Sequence, residues 1–181
     1  MDEPLHEFGI AHDRLDGVAG LHPLIAVKLW DNPCWLSFRI NYLALTFNIP
    51  IYGWIEAHNG LKRPEFVVLY SLNLKDGVAA KDVCSASGFP KNTISRAIQI
   101  LLKRRLIRRA ADESDRRSFV LRLTPAGRRI VASAMPAMLE RERVMLNALT
   151  PAERHMLFEL MAKMVISSTE WPAAIEMEPQ A

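Results

Sequence analysis

Between Pro90 and Lys103 the polar side chains recur at a spacing that gathers them on one side of a helix. Asn92, Ser95, Arg96, Gln99 and Lys103 share that side. Ile94, Ala97, Ile98, Leu101 and Leu102 fall on the other, where a core would bury them. Arg, Asn and Gln are the side chains whose paired donors and acceptors match base edges in the major groove. The chemistry offered is therefore hydrogen-bonded readout rather than bond making. Pro90 suits the start of such a helix, because the first turn has no partner for the N–H that proline lacks.

The charge that follows has the same tendency. Lys103, Arg104, Arg105, Arg108 and Arg109 come within seven residues. From Lys91 to Leu123 ten Lys and Arg stand against three Asp and Glu, a local net of +7 in a chain whose total is +3. A charge run can be only a solvated face, but here it adjoins a readout stripe, and together they are the footprint of a phosphate-backbone binder. Leu106–Arg109 and Phe119–Leu123 are short and β-prone, and the polar turn between them makes a hairpin.

The pattern Asp115-x-Arg117 followed by Leu123-Thr124, downstream of a helix ending Leu101-Leu102-Lys103-Arg104, resembles the MarR family of winged helix-turn-helix transcriptional regulators. The resemblance spans roughly residues 35–165. It implies a mainly α fold with a small β wing, dimerised through its N- and C-terminal helices. It also implies that the helix from Pro90 is the recognition helix and the hairpin a wing reaching the neighbouring minor groove. Lys91, Asn92, Thr93, Ser95, Arg96, Gln99, Lys103 and Arg104 are then expected at DNA, with Asp115, Arg116 and Arg117 at the wing tip. Arg105 departs from the family, which usually has Gly there. A left-handed residue without Gly costs about 1 kcal/mol.

A chain of 181 residues, half of them apolar, is long enough for one domain with dimerisation arms. Cys34 and Cys84 lack metal-like spacing and argue against a disulfide framework. The acidic start MDEPLHEFGI has no apolar core of the kind a signal peptide carries, and no apolar run reaches membrane-spanning length. The expectation is a cytoplasmic protein without cofactor or metal.

In order along the chain, residues 1–34 read as an N-terminal arm and 35–62 as a long first helix serving the dimer and a pocket. Residues 63–123 read as the DNA-binding lobe, 124–168 as C-terminal dimerisation helices and 169–181 as a tail. Within the lobe, Phe66, Val67, Leu69 and Tyr70 are expected in the core, and Val78–Ser87 as the supporting helix with Cys84 inward. Leu36, Phe38, Ile40, Leu43, Leu45, Phe47, Ile49 and Ile51 make the first helix apolar nearly all round, so it should be buried on every side, with a kink at Pro50.

That helix has two readings. One is a dimer core. The other, following the family habit of binding an effector there, is a pocket for a small aromatic acid. Trp30, Trp35, Tyr42 and Trp54 would supply its walls, and Arg39 and His58 its carboxylate anchor. Cys34 sits near where some relatives sense peroxides, and a helix N-terminus lowers a thiol's pKa.

The sequence thus points to a homodimeric regulator of double-stranded DNA, a repressor released from a pseudo-palindromic operator by a small aromatic ligand. Alternatives are a redox-sensing regulator acting through Cys34 and a winged-helix module for protein contacts, which has no need of a +7 patch. An enzyme is disfavoured. No GxSxG, Walker, HExxH or Rossmann pattern is present, and His6, His12, His22, His58 and His155 are scattered without a partner acid or nucleophile.

Overall fold

The structure, a computed structural model, describes residues 22–112, 119–172 and 174. Residues 1–21 of the expected arm, the expected wing-tip residues Asp115, Arg116 and Arg117, and most of the tail lie outside the described residues. The chain divides into two compact units within one helix, the first ending at Met135 and the second beginning at Pro136.

The first unit opens with α1 (Pro23–Trp30), capped by His22, and α2 (Trp35–Asn59). Asn32 Oδ1 accepts the N–H of Cys34 at 2.9 Å and so turns the chain into α2. The helix runs through Pro50 without interruption and stops at Gly60, whose φ of 59° puts it in the left-handed region that glycine adopts without penalty. The expectation of burial on every side does not hold in the single chain. Only Ile51 and Ile55 are buried along α2, while Leu43 and Ile49 are 52% and 68% exposed.

In α3 (Arg63–Leu74) the Glu65 carboxylate accepts the Lys62 N–H at 2.8 Å. Its buried apolar residues are Phe66, Val68, Leu69 and Leu72. Val67 and Tyr70, expected in the core, are half-buried, because the stripe runs 65, 66, 69, 72 at helical spacing and leaves them on its flanks.

The expected helix over Val78–Ser87 is shorter. Val78–Ala79 form a strand, β1, and α4 occupies only Ala80–Ala86, with Val83 buried and Cys84 half-buried. The two residues pair with β3 (Phe119–Leu123), Val78 opposite Leu121 and Ala79 opposite Val120, where they satisfy backbone groups on its open edge. Gly77, with φ 77°, starts the pairing by donating to the Leu121 carbonyl at 3.0 Å.

After the turn at Gly88, α5 (Lys91–Lys103) buries Ile94, Ala97, Ile98 and Leu101, with Leu102 half-buried. β2 (Ile107–Ala111) begins one residue later than expected, because the Leu106 N–H is bound to the Leu101 carbonyl at 3.0 Å. It pairs antiparallel with β3 from Ile107 opposite Leu123 to Ala111 opposite Phe119, giving a sheet in the order β1-β3-β2. α6 (Pro125–Met145) follows, its Gly127 N–H donating to Thr124 Oγ1 at 3.2 Å.

The second unit holds the end of α6 and α7 (Pro151–Ser167). Thr150 and Glu153 form a capping box: the Thr150 N–H reaches Glu153 Oε2 at 2.7 Å, and the Glu153 N–H reaches Thr150 Oγ1 at 3.3 Å. No α7 residue is buried, and Phe158, Leu160, Val165 and Ile166 stand exposed. Among the described residues no helix is long and apolar enough to cross a membrane.

Candidate DNA-binding lobe

The polar residues of α5 stand on its exposed side. Lys91, Asn92, Ser95, Arg96, Gln99 and Lys103 are exposed along α5, and Thr93 is half-buried at its first turn. The buried stripe opposite packs the helix onto the lobe, so the polar face is carried by a rigid element. Arg108 and Arg109 are exposed on β2 beside it. Arg109, Ser95, Gln99 and Phe119 line part of a recess of about 420 Å³ between α5 and the sheet.

The end of α5 resolves what Arg105 does. Its φ is 56°, the one positive value at a non-glycine residue among the described residues. The Arg105 N–H bonds the Leu102 carbonyl at 3.0 Å and the Leu106 N–H bonds Leu101, the paired pattern of a Schellman termination. The helix therefore stops where a glycine would stop it, and Arg105 carries the left-handed strain. Thr124 locks this turn from outside, its Oγ1 donating toward the carbonyls of Arg105 at 2.9 Å and Leu106 at 3.0 Å.

Arg104 was expected at phosphate. Its fork instead meets two backbone oxygens, Nη1 donating to Gly60 at 2.7 Å and Nη2 to Asn59 at 2.8 Å. Both belong to the C-terminus of α2, which leaves carbonyls without intrahelical partners. Asp76, which local sequence does not single out, ties distant elements together. Its Oδ1 accepts the Leu123 N–H at 2.9 Å and its Oδ2 accepts from Arg128 at 2.9 Å, with Arg122 at 3.7 Å. The wing's return strand and the start of α6 are thereby tied to the turn before β1. A single acidic residue in a turn offers no local sign of such long-range contacts.

The six residues expected around a ligand do not converge within one chain. Trp30, Trp35 and Arg39 meet where α1 joins α2: the Arg39 guanidinium lies 5.7 Å and 5.3 Å from the two indole centroids and donates to the carbonyls of Trp35 and Leu29. It staples the two helices together. Tyr42 pairs with Phe38 at 5.6 Å. Trp54 and His58 stack at 4.3 Å fifteen residues beyond Arg39, about 22 Å along the helix. Cys34 is exposed at the N-cap of α2.

A helix-turn-helix whose second helix exposes a basic, amide-bearing face, followed directly by a β-hairpin, defines a winged helix-turn-helix DNA-binding protein. A sequence model described as the MarR family matches residues 59–118. The transcriptional regulator HosA of Escherichia coli is 25% identical over 112 residues, covering 62% of this chain and 83% of that protein. A MarR-family transcriptional regulator from Silicibacter pomeroyi superposes with a TM-score of 0.67 at 26% identity, covering 78% of this chain and 92% of that one. Bordetella bronchiseptica BpsR, solved in connection with regulation of its DNA binding by 6-hydroxynicotinic acid, gives 0.60 at 26% identity, covering 72% and 98%. The match over residues 59–118 and these likenesses support a MarR-family DNA-binding transcriptional regulator.

Proposed function

We propose that this regulator is a repressor which binds a pseudo-palindromic operator as a symmetric dimer and leaves it when a small aromatic acid binds. The observation that carries the DNA half is the exposed face of α5, with Asn92, Ser95, Arg96 and Gln99 mounted on a buried apolar stripe. These four read bases. Lys91, Lys103 and Arg108 hold phosphates, with Arg116 and Arg117 as further DNA contacts. Two such helices related by a dyad enter successive major grooves roughly 34 Å apart.

The apolar residues exposed along α2 and α7 support dimerisation, since a second copy would bury them. The aromatic character of the effector is supported by the relative BpsR, whose DNA binding is regulated by 6-hydroxynicotinic acid. The two aromatic groups on α2 lie too far apart to share one small ligand within a protomer. Each is a separate candidate wall, completed by the partner chain.

The test is fluorescence anisotropy on DNA flanking the protein's own gene, over a salt series. Tight binding that beats scrambled DNA with a steep salt slope is expected, followed by release on adding aromatic acids. Release by peroxide instead, abolished in Cys34→Ser, would select the redox reading. Absence of binding even at low salt would refute the proposal.

A further inference from the structure

The helix that faces DNA is tied to α2 at both ends. At its C-terminus, the two terminal nitrogens of Arg104 hold the adjacent carbonyls of Asn59 and Gly60 at 2.8 Å and 2.7 Å. A planar fork on two neighbouring acceptors sets orientation as well as distance, which a lysine ammonium cannot do. At its N-terminus, Phe89 immediately precedes the Pro90 cap. The Arg63 guanidinium sits 5.2 Å from the Phe89 ring centroid and 5.3 Å from that of Tyr52 in α2.

These attachments share one short length of α2. Tyr52, Asn59 and the stop at Gly60 lie within about 12 Å along the helix axis. The stacked pair Trp54–His58 lies between them. A shift of that segment would therefore reach both ends of α5 together rather than loosening one.

We propose that Arg104 and Arg63 are positioning residues for DNA recognition, carrying the setting of the C-terminal segment of α2 to both ends of α5 and so fixing the angle at which α5 meets DNA. This rests on the reading of α5 as the recognition helix. It removes Arg104 from the phosphate contacts. It also makes α2 the element whose movement sets operator affinity.

The experiment uses the full chain and duplexes carrying its operator, with the half-site spacing kept or changed by one base pair in either direction. Arg104→Lys, Arg104→Ala and Arg63→Lys are compared with wild type for affinity, salt slope, spacing preference and melting temperature. Arg104→Lys should lose about tenfold in affinity, as fully as Arg104→Ala, because the charge is kept and the fork is not. The salt slope should stay at the wild-type value while the preference for one spacing flattens. Arg63→Lys should flatten it in the same direction.

A phosphate contact would behave otherwise: Lys would restore binding, and Ala would lower the salt slope by about one. Either result overturns the inference. So does a variant that melts lower yet keeps both affinity and spacing preference, since Arg104 would then be a structural cap alone. A wild-type protein that fails to prefer its operator over scrambled DNA would instead sink the DNA reading itself, and this inference with it.

Discussion

Gly127 lies so close to the carbonyl oxygen of Leu106 that a β-carbon on it would overlap that oxygen. The same oxygen accepts the Thr124 N–H at 3.1 Å, so the end of α5, the root of the wing and the start of α6 meet over one backbone group. The obstacle is backbone rather than a flexible side-chain end, and it cannot swing aside. Gly127→Ala should cost about 1–3 kcal/mol of stability, the usual range for overpacking. Urea denaturation at unchanged m-value would measure it. A loss under about 0.5 kcal/mol would mean that the α6 start yields freely.

Arg105 invites the opposite experiment. It holds φ 56° in a termination motif that glycine enters without steric penalty. Arg105→Gly should therefore stabilise the chain by up to about 1 kcal/mol, visible as a higher denaturation midpoint. A lower midpoint would mean that the arginine side chain contributes packing or charge contacts outweighing the strain.

Asp76 gathers a backbone N–H and two guanidinium groups while remaining a quarter exposed. Exposed ion pairs of this kind contribute little, so most of the effect should come from the Leu123 N–H that loses its acceptor. Asp76→Ala should cost about 1–2 kcal/mol, and Asp76→Asn, which keeps one oxygen acceptor, should cost less. Equal losses in the two variants would shift the weight to the arginines. Hydrogen exchange at the Leu123 amide would report the site directly.

What the sequence could reveal was set by range. The buried and exposed faces of α5 are written in local spacing and appear where that spacing put them, and the stop at Gly60 and the Thr150–Glu153 box are likewise made by residues within one helical turn. Val78–Ala79 could not be read as a strand, because two residues carry no period and their partners lie more than forty positions away. Arg104 looked like one more member of a basic run, and only tertiary structure brings Asn59 and Gly60 against it. Arg39 shows the same limit from the other side. Its type suited a carboxylate anchor, but the close approach of α1 commits it to two carbonyls. The apolar girth of α2 was plain in the sequence, yet a single chain does not bury it.

The cap of α7 should be sensitive to acid. The backbone N–H of Thr150, with its hydroxyl behind it, holds the Glu153 carboxyl below its ordinary value of 4.5. A carboxylate whose folded-state pKa is depressed stabilises the fold above the unfolded value. That contribution is lost as pH falls through the lowered folded value. The melting temperature of wild type should therefore exceed that of Glu153→Gln at neutral pH, and the gap should close as pH drops below about 4.5. A gap independent of pH would show that the glutamine caps as well as the carboxylate, or that α7 fraying does not limit unfolding.

On the proposed function, Arg96 reads a base and Lys91 holds a phosphate on the same helix. Arg96 is exposed in mid-α5, one turn from Asn92 and Gln99, where a guanidinium can lie in the plane of a base edge. Lys91 stands at the first residue, with an ammonium suited to a phosphate as a point charge. Arg96→Ala should cost about 1–3 kcal/mol on the operator and relax preference at one base pair, leaving binding to scrambled DNA nearly unchanged. Lys91→Ala should weaken binding to all duplexes alike and reduce the salt slope by about one. Anisotropy titrations on the operator and its single-base variants would distinguish them. If Arg96→Ala weakens every sequence equally, Arg96 touches only the backbone, and base reading falls to Asn92, Ser95 and Gln99.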